Sequence, residues 1–241
     1  MEAKAKSYDF LENVRASSRG GATARVVEAL REAIVSLELK PGAMIDKAAL
    51  CERLGVSRFP VSEALSRLQG EGLVEIQPQK GTIVSLIRLS DARENMFVRR
   101  SLEAEAVREL ARRVEEPTLT ALGRNLRYQK AAVDAGDQSG FHKLDLEFHE
   151  ILLNALGYPK VKAAAESARQ GLDRVRRLLA SPERHARTRA EHERIAEALI
   201  ACDGERAARA MSDHLEAVMV QLVSLANKQP GLFADREDWR R

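Results

Sequence analysis

The sequence predicts a mainly α chain: an N-terminal winged helix-turn-helix followed by a C-terminal antiparallel helical bundle. Three observations carry this reading. Aromatic residues are scarce, six Phe, three Tyr and one Trp in 241 residues. The core must therefore be packed by Ala, Leu, Val and Ile, which favours helices over a β-sandwich. Strand-like segments occur before residue 86 and none follows Ser90. Beyond Ser90, apolar residues recur at helical spacing between short Pro and Gly breaks.

The length exceeds one ordinary small domain, and 44% hydrophobic with 31% charged residues is the composition of a soluble globular protein. Cys51 and Cys202 lie far apart in helical patterns, which excludes a disulfide framework or a CxxC redox site. No run approaches about 18 apolar residues and no apolar stretch follows a basic start, so a cytoplasmic location without a membrane partner is expected. The net charge is only +3, and residues 1–88 carry 13 basic against 11 acidic side chains. Nucleic-acid binding must therefore be argued from pattern rather than bulk charge.

Residues 1–22 lack a sustained apolar period and end in Ser17-Ser18-Arg19-Gly20-Gly21, the pattern of a flexible tail. From Ala22, Val26, Val27, Leu30, Ile34 and Leu37 mark a first helix, broken by Pro41-Gly42. A second helix fits Asp46 to Leu54, with Asp46 as N-cap and Gly55 as stop. The third begins at Ser57, whose hydroxyl is expected to cap the first turn. Pro60 falls within that turn, and Val61, Ala64, Leu65 and Leu68 form its buried stripe. Leu73–Ile76 and Thr82–Ser85 then make a two-stranded ribbon around Gln77-Pro78-Gln79-Lys80-Gly81. The winged helix-turn-helix spans 23–88. Long helices follow near 91–114, 117–135, 138–156, 159–180, 185–202 and 204–228, within a helical domain of residues 89–229. Residues 230–241 read as a loosely held C-terminal tail.

A recognition helix needs an apolar back and short polar or Arg side chains on its N-terminal front. Ser57, Arg58 and Ser62 supply that front, while Val61 and Leu65 anchor the back. Arg58 suits guanine O6/N7 or a phosphate, and Ser57 with the free backbone N–H groups suits a phosphate. Lys80 and Gly81 stand at the wing tip, within reach of the minor groove or backbone. A winged helix that only binds protein is the weaker alternative, because the exposed face is Ser and Arg rather than apolar.

Within the helical domain, Asp145 and His149 are spaced i, i+4 and share one helix face. His192 and His214 each fall on the apolar stripe of another helix. One carboxylate and three imidazoles converging in a bundle suit a borderline divalent metal such as Zn, Ni, Mn or Fe. The spacing equally admits core histidines satisfied by hydrogen bonds.

Residues 23–86 resemble the winged-helix domain of GntR-type bacterial transcription regulators. The resemblance rests on Leu30-Arg31-Glu32-Ala33-Ile34, Leu39-Lys40-Pro41-Gly42, Val56-Ser57-Arg58, Pro60-Val61, Glu63-Ala64-Leu65, Glu71-Gly72-Leu73-Val74 and Lys80-Gly81. The family usually carries Arg where this chain has Ser62. That departure implies one bidentate base contact fewer, worth about 1–3 kcal/mol of discrimination. Residues 90–228 resemble the all-helical effector (FCD) domain of the FadR subgroup. The matching pieces are Val98-Arg99-Arg100-Ser101-Leu102-Glu103, Asp145-Leu146-Glu147-Phe148-His149, Glu191-His192 with Ile195, and His214-Leu215.

The resemblance implies a metal held by Asp145, His149, His192 and His214, with zinc placed first. It implies a small organic acid as effector and Arg99 as the arginine that grips a carboxylate. Among Arg174, Arg176 and Arg177, Arg174 is the weakly preferred second candidate. His142 and His185 have no place in the pattern and are expected to be solvated. Subgroup members without the metal bind acyl-CoA, a branch the intact ligand set argues against. The implied function is a homodimeric, effector-controlled repressor on a palindromic double-stranded operator. Two alternatives stand beside it, a metal-dependent enzyme acting on a small carboxylate and a regulator whose metal is purely structural. The enzyme lacks a general base in a defined motif, since Glu191 and Glu147 are only sequence neighbours of the ligands.

Overall fold

A computed structural model describes Tyr8 and residues 21–235. The described residues divide into two units, Tyr8 and 21–88 with 229–235, and 89–228.

In the first unit, α1 (Ala22–Val35) buries Val26, Val27, Leu30, Ala33 and Ile34 along one stripe. Leu37, read from its spacing as part of that stripe, lies past the helix end in a left-handed turn at φ 68°. β1 (Met44–Ile45) precedes α2 (Lys47–Leu54), whose N-cap Asp46 accepts hydrogen bonds from the Ala48 and Ala49 amides. Gly55 ends α2 at φ 64°, a conformation glycine adopts without strain. α3 (Arg58–Gly70) turns Pro60, Val61, Ala64, Leu65 and Leu68 inward. Burying a side chain such as Val61 or Leu65 stabilises the unit by about 1.5–3 kcal/mol. Ser57 occupies the N-cap position, but its hydroxyl makes no capping hydrogen bond among the described residues. The expected cap is corrected, leaving the first-turn amides of α3 open to another partner.

β2 (Val74–Gln77) and β3 (Gly81–Val84) form the wing, with Val74 opposite Val84 and Gln77 opposite Gly81. The expected two-stranded ribbon is a three-stranded antiparallel sheet in the order β1-β3-β2. Met44 pairs with Ile83 and Ile45 with Thr82. Two residues are too few to display the alternation by which a strand is recognised in sequence.

Both terminal tails are corrected in part. Tyr8 is buried in the first core, and its hydroxyl oxygen accepts from the Asp46 amide at 2.9 Å. The rest of the expected N-terminal tail up to residue 20 lies outside the described residues, as do residues 236–241. Pro230–Leu232 form a 3-10 turn, and Phe233 is buried beside Ile87 in a parallel bridge.

The second unit is all helix: α4 (Leu89–Leu110), α5 (Glu116–Asp134), α6 (Gln138–Leu156), α7 (Pro159–Gln170), α8 (Asp173–Leu178), α9 (Pro182–Ile200) and α10 (Gly204–Lys228). α4 packs on α10, α7 and α6, while α5 packs on α6 and α9, and α9 on α10. α10 shows the logic most plainly, burying Ala207, Ala208, Met211, His214, Leu215, Val218 and Leu222 at helical intervals.

Besides small shifts, such as α4 ending at Leu110 rather than near residue 114, two element boundaries differ from the sequence reading. The expected helix 159–180 is two helices, interrupted at Gly171–Leu172. A Cβ at Gly171 would meet the Asn95 amide nitrogen at 2.6 Å, so α4 approaches the break closely. The helix expected from residue 185 begins at Pro182, with Ser181 as its cap and the Ser181 hydroxyl accepting from the Arg184 amide. Ser181-Pro182 is thus a helix start and not merely a break.

Candidate nucleic-acid interface and metal centre

In the first unit, α3 projects its amino-terminal turns outward. Ser57, Arg58, Phe59, Ser62, Ser66 and Gln69 are exposed. Arg58 and Ser62 line one groove with Asp46, Lys47, Gly81 and Thr82. The structure therefore brings α3, the start of α2 and the wing strand β3 to a single concavity. Lys47, which sequence reasoning did not single out, joins this set. Lys80 is exposed at the wing turn, where Gln79 and Gly81 take φ values of 63° and 108°.

The second unit gathers Asp145 and His149 from α6, His192 from α9 and His214 from α10. All four are buried, and one ligand atom from each lies within 4.8 Å of the others. Each imidazole has its Nδ1 held on the outside of the cluster. His149 Nδ1 lies 2.6 Å from Glu103 Oε2, His214 Nδ1 2.8 Å from Glu191 Oε2, and His192 Nδ1 3.0 Å from Gln129 Oε1.

The tautomers follow from these partners. Arg99 clamps Glu103 with Nε at 2.6 Å and Nη2 at 3.3 Å, so Glu103 is an ionised acceptor. Burial opposes that charge, but Arg99 and then His149 hold the carboxyl well below its ordinary range. Glu191 receives a two-pronged bond from Arg184 at 3.1 and 3.0 Å. For His192 the logic is longer. The Leu144 carbonyl can only accept, so it fixes Asn125 Nδ2 as the donor at 3.0 Å. Asn125 Oδ1 then accepts from Gln129 Nε2 at 2.7 Å, leaving Gln129 Oε1 to accept from His192 Nδ1. These partners assign the proton of His192 and His214 to Nδ1 and turn their Nε2 lone pairs inward. The ionised Glu103 beside His149 Nδ1 favours the same tautomer there, although that contact lacks hydrogen-bond geometry.

That arrangement fits a cation. His149 Nε2 and His214 Nε2 face each other at 3.3 Å. His192 Nε2 is buried without a hydrogen-bond partner among the described residues, 3.5 Å from Asp145 Oδ1. Three neutral imidazoles beside a carboxylate are the donors that zinc and its neighbours accept. Burial pushes all three imidazoles below their ordinary range, most strongly His192 and His214. Neutral imidazole is the metal-binding form.

A model of bacterial regulatory proteins of the gntR family matches residues 22–84, and an FCD domain model matches 94–217. The chain belongs to the GntR family. Among its relatives, the HTH-type transcriptional repressor RspR of Escherichia coli is 28% identical over 88% of this chain and 93% of its own length. An HTH-type transcriptional regulator from an unstable DNA locus of Streptomyces ambofaciens is 33% identical over 85% of this chain and 86% of the relative. A solved GntR regulator from Rhodococcus sp. RHA1 aligns with a TM-score of 0.66 at 25% identity, covering 84% of this chain and 97% of that one. This GntR protein is therefore a DNA-binding transcription regulator and not an enzyme. No helix among its described residues is long and apolar enough to cross a membrane.

The GntR chain treats its other predicted residues unevenly. Arg99 is buried, but Glu103 already occupies its Nε and Nη2. Arg174 is half-buried and burial lowers it to about 10, while its neighbour Arg176 contacts Asp145. Burial takes Arg176 down to about 9, helped by Arg99. His185 is not solvated, because α9 starts early enough to stack it on Phe141 at 4.4 Å between ring centroids. His142 is half-buried, and burial first, then Arg176, pushes it down to about 4.

Sequence reasoning missed Gln129 and Arg184 around this cluster, and it named Glu103, Glu191 and Arg176 without placing them as partners of its ligands. The spacing of Arg99 and Glu103, i and i+4 on α4, was a usable signal. Gln129 carried none.

Proposed function

We propose that this regulator is a repressor whose operator binding responds to a small organic acid at a metal-containing pocket of the helical domain. The metal ligands are Asp145, His149, His192 and His214, with zinc first and Ni, Mn or Fe as the other ions of this donor class. The observation that carries the reading is the buried cluster of Asp145, His149, His192 and His214, whose ligand atoms lie within 4.8 Å of one another. Glu103, Gln129 and Glu191 face its three Nδ1 atoms. A bound divalent ion would supply a Lewis-acidic centre for an acid's carboxylate oxygen. Arg99, Arg176 and Arg184 balance Glu103, Asp145 and Glu191 with the imidazoles neutral. Arg99 and Arg174 are the effector-contacting arginines of this reading, with Arg176, in contact with Asp145, as a further candidate.

On the DNA side, Ser57, Arg58, Ser62, Lys80 and Gly81 are the contacting set. Two copies of the chain would place two α3 helices on a palindromic operator, as a cytoplasmic FadR-type homodimer. The domains are assigned as 23–88 for DNA and 89–229 for effector binding and dimerisation.

A thermal-shift screen of small mono- and dicarboxylates on metal-loaded and chelator-treated protein tests the effector half. Each hit is then titrated into a protein–operator complex. The expected result is an acid that raises the unfolding temperature of metal-loaded protein alone and releases the operator, both lost in His149→Ala. An acid that binds metal-free, folded protein equally well overturns the pocket. One observation favours a second reading, a metal that only staples the bundle. The four ligands are sealed at 0–3% exposure, and Glu103 closes the Arg99 fork. That reading expects a metal-dependent unfolding temperature with no acid altering operator affinity.

A further inference from the structure

Phe59 stands on the first turn of α3 with 76% of its surface exposed, the most exposed large apolar side chain among the described residues. Its neighbours in sequence, Pro60 and Val61, are buried, so the helix itself fixes the outward direction. Helical spacing sets Phe59 on one stripe with Ser62 and Ser66, all exposed. Arg58 precedes it, and Arg58 and Ser62 line the groove shared with Lys47 and Gly81. Phe59 is thus the large apolar group carried by α3 itself among its exposed polar side chains, while Met44, 56% exposed, lies against Gly81 on the strand side.

Base edges in the major groove offer one prominent apolar feature, the C5 methyl of thymine, which phenyl groups contact favourably. Ser62, the next residue on the stripe, is short, and the Phe59 ring is exposed beside it. We propose that Phe59 is a specificity-determining residue that reads a thymine methyl in the operator. The proposal rests on α3 being the element that enters the major groove.

The test begins with operators selected from a randomised duplex pool by the full-length protein. Each thymine of the selected site is then replaced singly by deoxyuracil, which removes only the methyl. Affinities are measured by fluorescence anisotropy for wild type, Phe59→Ala and Arg58→Ala. At one position of a half-site, deoxyuracil should weaken wild-type binding about fourfold, the worth of one methyl-sized apolar group. Phe59→Ala should bind the thymine duplex more weakly and show no difference between thymine and deoxyuracil there. Its response at all other positions and its salt dependence should match wild type, since no phosphate contact is removed. Thermal unfolding should be unchanged, because the ring is exposed. If no position shows methyl dependence in wild type that Phe59→Ala loses, while Arg58→Ala still weakens binding, the Phe59 assignment fails alone. If neither variant alters binding, α3 is not the reading helix and both assignments fail.

Discussion

With Gln129 replaced by Leu, the His192 Nδ1–H loses its acceptor while the shape of the side chain is nearly kept. Gln129 is fully buried, so no water stands ready to replace the amide oxygen. The relay from the Leu144 carbonyl through Asn125 would then end at a hydrocarbon. His192 would be free to swap tautomer or rotate its ring, and Nε2 would no longer be held bare toward Asp145. Groups that orient a metal-binding histidine are commonly worth 10–100-fold in metal affinity. Gln129→Leu should therefore weaken divalent metal binding by roughly that factor, measured by competition with a chromophoric chelator. Gln129→Glu keeps an acceptor for His192 while giving up the bond to Asn125, and should recover part of the loss. Equal affinities for wild type and Gln129→Leu would mean that His192 is oriented by packing alone, for instance by its stacking on Phe148 at 4.0 Å.

At the scale of the helices, two glycines make opposite predictions from the same substitution. A Cβ at Gly204, the first residue of α10, would meet the Arg108 carbonyl oxygen of α4 at 2.8 Å. Backbone cannot swing aside as a side chain can, so Gly204→Ala should lower stability by about 1–3 kcal/mol. Gly123 lies inside α5, and its nearest obstacle is the mobile end of Arg127 at 3.8 Å. There the helix preference for Ala prevails, and Gly123→Ala should raise stability by about 0.5–1 kcal/mol. Urea unfolding of both variants checks the signs, and matching signs would refute the close approach of α10 to α4. Gly204 also marks how far the sequence could be read. As a punctuation mark between two periodic segments it was plain, because helix stops depend on local chemistry. The contact that makes it glycine depends on Arg108, nearly a hundred residues away. The same division runs through the metal cluster. Asp145 and His149 share a helix face by spacing alone, whereas the partners of His192 and His214 come from other helices. Arg184 was lost to a misplaced helix start and β1 to its two-residue length.

For the whole molecule, the proposed regulation is a statement about coupled equilibria. If an acid bound in the helical domain weakens operator affinity by some factor, operator binding must weaken the acid's affinity by the same factor. Coupling energies of about 1–3 kcal/mol correspond to roughly 5–150-fold changes. The acid found in the thermal-shift screen should therefore be titrated into metal-loaded protein twice, without DNA and with saturating operator duplex. Its dissociation constant should rise with the duplex by the factor by which the acid raises the operator's. The comparison must hold salt constant, because operator affinity falls steeply with ionic strength while the buried acid site is screened far less. A non-specific duplex of equal length serves as the reference for simple electrostatic competition. If both duplexes shift the acid's affinity alike, the acid competes for positive surface rather than for a conformation. If the operator leaves the acid's affinity untouched, the metal centre is uncoupled from the DNA-reading face, and the metal's part in this protein is to hold the bundle together.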